Sequence, residues 1–453
     1  MTIAAISTAA ASGGIGIVRI SGENAREIAD KVFKAKSGKK TASMKGYTAA
    51  FGEAFTKEGE KIDDVIALVF AAPRSYTGED TVELSCHGGL YVTQRLLKAV
   101  LSAGAVLAEK GEFTKRAFLN GKMDLAQAEA VMQLIQANEE QSAKAAIAGN
   151  SGVLSQKINH MKARLTDMAA HLSVWADFPD DDVPQVDEKQ LQVDLQEVRK
   201  NLKELLSGFD KGKMMREGVS VVIAGRTNAG KSTLMNLLSG CERSIVTHYE
   251  GTTRDVVEET VIVGGIPLKL ADTAGIRDTE DPVEKIGVNL SKEKIRSAQL
   301  ILAVFDISKP LEESDMEWIQ LLENQRVIAV FNKTDLEQKA DIEFIKQKFK
   351  NHVFLSASQG KGISDLEKKL AKVLHTEDFN PMSGILYTER QRIDTERALA
   401  AVQEAIDAYS SGLTLDAVTI CVEDALSALY ELTGENVSEG VIGEVFEQFC
   451  VGK

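Results

Sequence analysis

Cysteine is scarce, and what there is lies scattered. Cys86, Cys241, Cys421 and Cys450 show no C-x-x-C spacing. That excludes a zinc site built on paired thiols and a disulfide frame, and it fits a reducing, cytoplasmic setting. No apolar run approaches the ~20 residues a membrane span needs. The opening Met1-Thr2-Ile3-Ala4-Ala5-Ile6 has no basic residue ahead of its apolar stretch, so it does not read as a signal or transit peptide. Excess positive charge is also missing: 53 Lys and Arg stand against 67 Asp and Glu, a net charge of −14. Indiscriminate coating of nucleic acid is thereby excluded, and only a local basic patch is left open. No internal repeat or low-complexity tract interrupts the chain, so a repeat architecture is excluded. What remains is a chain of 453 residues, 44% hydrophobic and 26% charged. That is the composition of a soluble globular protein, with a length that suggests about three domains.

Three textures follow one another. From Met1 to about Asn120 the pattern is mixed. Ile15 to Ile20, Asp64 to Phe70 and Thr81 to Ser85 read as strands, and Ala25 to Phe33 and Tyr91 to Ser102 as helices, which is an α+β domain. From Asp124 to about Leu206 the period lengthens. Leu154, Ile158, Met161, Leu165, Met168, Leu172 and Trp175 form one stripe, and Leu191, Leu195, Val198, Leu202 and Leu205 another, with Phe178 to Pro184 breaking the two. Such stripes mark helices packed on helices, and runs this short favour a bundle core over a coiled coil. Helical stripes return after about Leu374: Ile393, Leu399, Val402, Ile406 and Tyr409; Val418, Val422, Leu426 and Leu429; Val441, Val445 and Phe449. The simplest architecture is one helical domain built from both flanks, with a third domain inserted between them. The expected boundaries are 1–120 for the α+β domain, 121–215 plus 376–453 for the helical domain, and 216–375 for the insert.

The insert carries the most informative string, Gly225-Arg226-Thr227-Asn228-Ala229-Gly230-Lys231-Ser232, or G-x-x-x-x-G-K-S. Apolar Val221 to Ala224 runs into it, and Thr233 to Leu238 continues it with helical character. Strand, glycine loop and helix is the context a phosphate-binding loop requires. The glycines let successive backbone N–H groups curl around a phosphate, and the helix N-terminus adds a favourable dipole. Lys231 is placed for the β and γ phosphates and the Ser232 hydroxyl for Mg²⁺.

Downstream strings point to guanine. Asp272-Thr273-Ala274-Gly275 follows an apolar run, with Asp272 placed to touch Mg²⁺ through water and the Gly275 N–H to sense the γ phosphate. Asn332-Lys333-Thr334-Asp335 follows the buried-strand pattern of Val327 to Phe331. The Asp335 carboxylate can accept from the N1–H and N2–H₂ edge of guanine. Adenine has no such donor pair, so a buried carboxylate would be left unpaired against it. Ser356-Ala357-Ser358, after Val353 to Leu355, can present a backbone N–H to guanine O6. Four strings in this order, each at a strand's carboxyl end, lie where open α/β sheets bind ligands. From Gly218 to about Leu374 the sequence resembles the translation-factor-like GTPases.

Strings outside the insert narrow the resemblance. They are Ile17 to Gly22, Ser75 to Asp80, His87-Gly88-Gly89, Gly111 to Lys122, Asp124 to Ala130, and the terminal Phe449-Cys450-Val451-Gly452-Lys453. With them the whole chain resembles the bacterial tRNA modification GTPases of the MnmE (TrmE) family. That resemblance implies a GTPase working with an FAD-dependent partner, MnmG, in a heterotetramer or larger complex. Together they place aminomethyl or carboxymethylaminomethyl groups at C5 of the wobble uridine of certain tRNAs. It also implies a homodimer formed through the amino-terminal domain, which holds a 5-formyl- or methylene-tetrahydrofolate. Arg19, Glu83, Lys122 and Lys453 match the family's folate contacts. Physical chemistry is compatible: a carboxylate such as Glu83 suits the donor-rich pterin edge, and Arg or Lys suits an anionic tail. By themselves Arg19 and Lys122 read more readily as solvated surface charges. Cys450 stands as either a buried free thiol or a thiol near the modification chemistry; Gly452 and Lys453 do not fit a prenylation signal. Cys86 and His87 are two ligands only, too few for a metal.

For hydrolysis, Ile276 occupies the place where Ras-like enzymes carry a water-positioning Gln, and an apolar side chain cannot orient water. The resemblance implies Glu284 in that role, with Lys231 and Asn228 completing the catalytic set; by itself Glu284 reads as a solvated switch-region carboxylate. It further implies that K⁺, held by Asn228, Thr247, Tyr249 and Thr252, takes the place of an arginine finger, that Ser232 and Thr253 hold Mg²⁺, and that two GTPase domains meet during turnover. Arg254 and Arg277 are the alternative fingers. The basic residues Lys34, Lys36, Lys39, Lys40 and Lys45 could guide tRNA or be merely solvated. A GTP switch in ribosome assembly is the main alternative function; the acidic balance and the C-x-G-K string weigh against it. A stand-alone folate enzyme is a third, but no redox-cofactor loop is present, and hydride chemistry must come from a partner.

Overall fold

The computed structural model describes residues 1–137, 140–177, 188–240, 259–271 and 295–452. The chain divides into two compact units, residues 1–132, 149–199 and 388–453 in one, and 133–148 and 200–387 in the other.

In the first unit a seven-stranded sheet runs in the order β3 (Phe33–Ala35), β4 (Thr48–Phe55), β5 (Lys61–Phe70), β6 (Thr81–His87), β2 (Ile15–Ser21), β1 (Ile3–Ile6), β7 (Val106–Leu107). Every pairing is antiparallel except β1 with β7. Side chains alternate across a strand, so β2 sends Val18 and Ile20 to one face and Ile17 and Arg19 to the other. On the first face Val18, Ile20, Val65, Ala67, Val82 and Leu84 pack against α1 (Ala25–Val32) and α2 (Leu90–Ser102) in one core. On the second face, among the described residues, one end is covered, where Ile3, Ala5, Ala108 and Phe113 form a smaller cluster with Tyr76. Further along that face Ile15, Phe51 and Ile66 are 65%, 55% and 49% exposed. The mixed strand and helix pattern expected here is what the chain adopts.

The helices that follow are α3 (Glu112–Leu119), α4 (Leu125–Gln136), α5 (Glu140–Asn150), α6 (Val153–Asp177) and α7 (Glu188–Glu217). Both expected stripes are buried, Leu154 through Leu172 on α6 and Leu191 through Leu205 on α7. The Phe178 to Pro184 break lies outside the described residues. In the first unit α13 (Leu415–Thr433) packs against both α12 (Glu389–Ser410) and α6, a bundle and not a two-stranded seam. One stripe is corrected. Ile393 is 45% exposed and Leu399 only half-buried, while α12 buries Ala398, Ala401, Val402, Ala405 and Ile406 beside Gln391, Asp394 and Thr395. The polar groups of that face are all paired: Glu129 of α4 accepts from Arg390 Nη2 at 2.8 Å and Gln391 Nε2 at 2.5 Å, Asp394 accepts from Arg390 Nη1 at 3.0 Å, and the Thr395 hydroxyl donates to Gln391 O at 2.7 Å. Burial pushes the neighbouring Asp394 carboxyl upward, against the pull of Arg390. The carboxyl-terminal helix, α14 (Glu439–Glu447), buries Ile442, Val445 and Phe446.

In the second unit α7 ends at Gly218, whose φ of 79° and N–H bond to Met214 O at 3.0 Å make a left-handed stop. The chain then enters a six-stranded sheet ordered β13 (His352–Phe354), β12 (Val327–Asn332), β11 (Leu300–Asp306), β8 (Val219–Ala224), β10 (Ile266–Ala271), β9 (Glu259–Val263). It is parallel except for the β9–β10 hairpin. Parallel sheets are covered on both faces, and the central strands β8, β11 and β12 are accordingly apolar along most of their length. Val221, Ile223, Leu302, Val304, Ile328 and Val330 face one core, and Val222, Ala224, Ala303, Phe305, Ala329 and Phe331 the other. Helices α8 (Lys231–Ser239), α9 (Glu313–Leu322), α10 (Ile342–Lys348) and α11 (Ile363–Val373) complete the doubly wound α/β unit. Its strand order reverses beside β8, which places a ligand crevice at the carboxyl ends of β8, β11 and β12.

Candidate nucleotide-binding site

The glycine loop leaves β8 at that crevice. Gly225 holds φ 143°, and a Cβ there would lie 2.4 Å from Val304 O of the adjacent β11, so only glycine lets the strand turn so close to its neighbour. Asn228 sits at φ 64° and Gly230 at φ 102°, and α8 begins at Lys231 with no side-chain cap on Gly230. Lys231 Nζ donates back to the carbonyls of Gly225 at 2.8 Å and Arg226 at 2.9 Å. The Ser232 and Thr233 side chains are exposed in the first turn. Arg226, which no sequence pattern singles out, is 8% exposed and anchors the loop to the start of α9 through Glu312 at 2.5 Å and Asp315 at 3.4 Å.

The strings expected to read guanine meet this loop. Asn332, 2% exposed at the end of β12, donates through Nδ2 to Ala229 O at 3.0 Å and accepts through Oδ1 from Ala357 N at 3.0 Å. Lys333, at φ 65°, donates to Asn228 O at 3.1 Å and to the Asp306 carboxylate. Asp306 is another residue the motifs did not reveal. Burial opposes its ionisation, but hydrogen bonds from Lys333 and Ser308 outweigh that and hold the carboxyl below its ordinary value. Asp335 accepts from Ser356 Oγ at 2.5 Å. Exclusion of adenine calls for a buried carboxylate, but Asp335 is exposed, because it follows the strand end on the open side of the crevice. The Ser356 N–H donates to Lys361 O at 3.0 Å and the Ala357 N–H to Asn332. Thr247, Tyr249, Thr252, Thr253, Asp272, Thr273, Ala274, Gly275 and Glu284 lie outside the described residues, as do His248, Arg254, Ile276 and Arg277.

A second constellation lies on the amino-terminal sheet. Arg19 and Glu83 are register partners across β2 and β6, and Arg19 Nε donates to Glu83 Oε1 at 2.8 Å. The pair is 17% exposed on each side, so the solvated-surface reading of Arg19 fails. The guanidinium lies 5.5 Å from the Phe113 ring centre and 5.9 Å from that of Tyr76. The carboxyl-terminal segment joins it. Gly452, at φ 95° with Ile6 O where a Cβ would sit, places its carbonyl 3.1 Å from the Ser7 hydroxyl and 3.5 Å from Arg19 Nη1. Lys122 is exposed and donates to Pro73 O at 3.1 Å. Lys453 lies outside the described residues. Cys450 is exposed, which overturns the buried-thiol alternative. Cys86 is buried against Gly16 O, and His87 pairs with Asp63. Of the suggested basic guides, Lys36 is tied to Glu53 and Lys34 covers the Phe55 ring, while Lys39, Lys40 and Lys45 are exposed.

Comparison with known proteins decides the family. Residues 2–122 match the model of the GTP-binding protein TrmE N-terminus, and residues 125–450 that of the MnmE helical domain. The chain belongs to the MnmE family. It is 43% identical over 456 residues to the tRNA modification GTPase MnmE of Alkaliphilus oremlandii, covering 100% of this chain and 99% of that one. To the proteins of the same name from Acetivibrio thermocellus and Clostridioides difficile it is 39% and 40% identical, with the same coverage. Among solved structures the G domain of the T. maritima FeoB iron transporter matches at 26% identity, covering 34% of this chain and 98% of that one, with a TM-score of 0.27. The chain is thus a GTP-hydrolysing enzyme of tRNA modification, and among the described residues no helix is long and apolar enough to cross a membrane.

Proposed function

We propose that the chain is the GTPase component of a system that adds aminomethyl or carboxymethylaminomethyl groups at C5 of the tRNA wobble uridine, acting as a cytoplasmic homodimer with the FAD-dependent MnmG in a heterotetramer or larger complex. One observation carries the reading: a likeness to MnmE proteins over the whole chain coincides with a phosphate loop joined by hydrogen bonds to an N-K-x-D turn. Residues 216–375 serve as the GTPase domain, 121–215 with 376–453 as the helical domain, and 1–120 as the folate-binding and dimerisation domain.

Oxygen donors at the loop fit hard cations, since the Asn228 amide and the Ser232 hydroxyl are both exposed at the phosphate side of α8. Ser232 with Thr253 would hold Mg²⁺, and Asn228 with Thr247, Tyr249 and Thr252 would hold K⁺; both ions offset negative charge on the phosphates. Glu284 orients water, and Asp335 accepts from the guanine edge. At the amino-terminal sheet a guanidinium and a carboxylate lie side by side against two aromatic rings. That setting suits a flat heterocycle with an anionic tail, and Arg19, Glu83, Lys122 and Lys453 would hold the tetrahydrofolate that supplies the one-carbon unit. Self-association is supported by the exposed Ile15, Phe51 and Ile66 on the uncovered sheet face. Reconstitution tests the proposal. The purified chain, the flavoprotein, tRNA, folate, GTP and potassium should yield modified wobble uridine, and withholding GTP should abolish it. Equal product without GTP contradicts the reading.

A further inference from the structure

Four residues other than glycine hold a left-handed backbone among the described residues: Tyr47, Asn228, Lys333 and His375. Two of them are joined by a single hydrogen bond, from Lys333 Nζ to Asn228 O at 3.1 Å. Backbone of that kind persists only where its surroundings over-determine it, and it gathers at functional sites. The surroundings here centre on one carboxylate. Asp306 ends β11, and its side chain is 1% exposed. Its Oδ1 accepts from Ser308 N at 3.0 Å and Ser308 Oγ at 2.6 Å, which leaves Oδ2 aimed at Lys333 Nζ. A buried carboxylate is stable only when paired and hydrogen-bonded, and this one has both kinds of partner.

We propose that Asp306 is a positioning residue for nucleotide binding: it holds the Lys333 ammonium over the Asn228 carbonyl and so ties the guanine-reading turn to the phosphate loop. Asp306 reads no base itself, since that role falls to Asp335 on the exposed side of the turn. It sets where the loop corner at Asn228 rests. If Asn228 also holds the monovalent cation, which rests on the function proposed above, the same carboxylate sets the cation's affinity.

Asp306→Asn keeps the side-chain size and removes the charge. The GDP dissociation constant, read by titration with a fluorescent GDP, should rise about tenfold, as expected when a hydrogen bond between charged partners is lost. The kcat at saturating GTP should stay within about twofold while KM rises, a split that belongs to binding and not to chemistry. Lys333→Met should weaken GDP to a similar degree, and the double variant should lose little more, because both changes break one linkage. An Asp306→Asn dissociation constant within twofold of the parent, or fully additive losses, overturns the proposal. If Asp306→Asn lowers the melting temperature too far for assay, Ser308→Ala decides: it keeps the charge and removes the orienting hydroxyl, and GDP binding about threefold weaker supports the role while unchanged binding overturns it. The potassium needed for half-maximal turnover should rise in Asp306→Asn as well. Should the parent protein turn over equally in sodium and potassium, the cation reading fails and the GDP measurements still decide Asp306.

Discussion

Replacing Gly230 by Ala tests whether the phosphate loop and the guanine turn behave as one piece. Gly230 holds φ 102°, where a side chain costs roughly 1–3 kcal/mol in backbone strain alone. The added carbon would lie 2.1 Å from Asn332 Nδ2. That amide cannot swing aside freely. It is 2% exposed, and its two ends bond Ala229 O and Ala357 N at 3.0 Å each. Moving it breaks both buried bonds, at about 1–3 kcal/mol each. The smallest sum is about 3 kcal/mol, which as affinity is a loss of roughly a hundredfold. Gly265→Ala supplies the control. Gly265 also has a positive φ, 77°, but a Cβ there meets nothing within 4 Å, so only strain of about 1 kcal/mol should appear and nucleotide affinity should not change. GDP titration and urea unfolding of both variants separate the two effects. If Gly230→Ala binds GDP within threefold of Gly265→Ala at equal stability, the coupling through Asn332 is wrong.

Other outcomes follow from the same geometry. Asp335→Asn should weaken GTP by about 2 kcal/mol or more, because the guanine edge loses its charged acceptor; competition between GTP and ATP measures it, and an unchanged preference would remove Asp335 from base recognition. Arg19→Ala leaves Glu83, 17% exposed, without its cation, and should cost about 1–3 kcal/mol in unfolding free energy; adding Glu83→Gln should recover part of the loss. Acid should act through Asp306. Its folded-state pKa lies below the ordinary value, so its stabilisation is complete above the ordinary carboxylate range and is lost as pH falls through the folded value. Urea midpoints should therefore carry an Asp306 contribution that is flat from about pH 7 to 5 and fades below about pH 4, and Asp306→Asn should erase that dependence. GTP turnover at matched ionic strength should be fast in potassium and slow in sodium; equal rates would remove the cation role of Asn228.

The legible parts of this chain were the local ones. Gly225 to Ser232 announces itself because one stretch contains the strand, the turn glycines and the helix start, and the structure places all three together. The stripes on α6 and α7 were equally plain, since long apolar side chains at helical spacing have no other use. The α12 stripe was misjudged at Ile393 because the face that is buried there is made largely of alanines and of polar groups such as Gln391, which donates to Glu129, 262 residues away. Asp306 escaped for a similar reason. Nothing within its own strand marks it, and its partner Lys333 stands 27 residues on. Arg19 and Glu83 stood out through family likeness, yet their mutual ion pair depends on the register of β2 with β6, which neither strand specifies alone.

Mass spectrometry of wobble uridines bears most directly on the central claim. Cells lacking this chain should lose the aminomethyl and carboxymethylaminomethyl groups at that position, and they should regain them with the parent chain but not with Gly230→Ala. An unchanged modification profile in the cells without the chain would contradict the account.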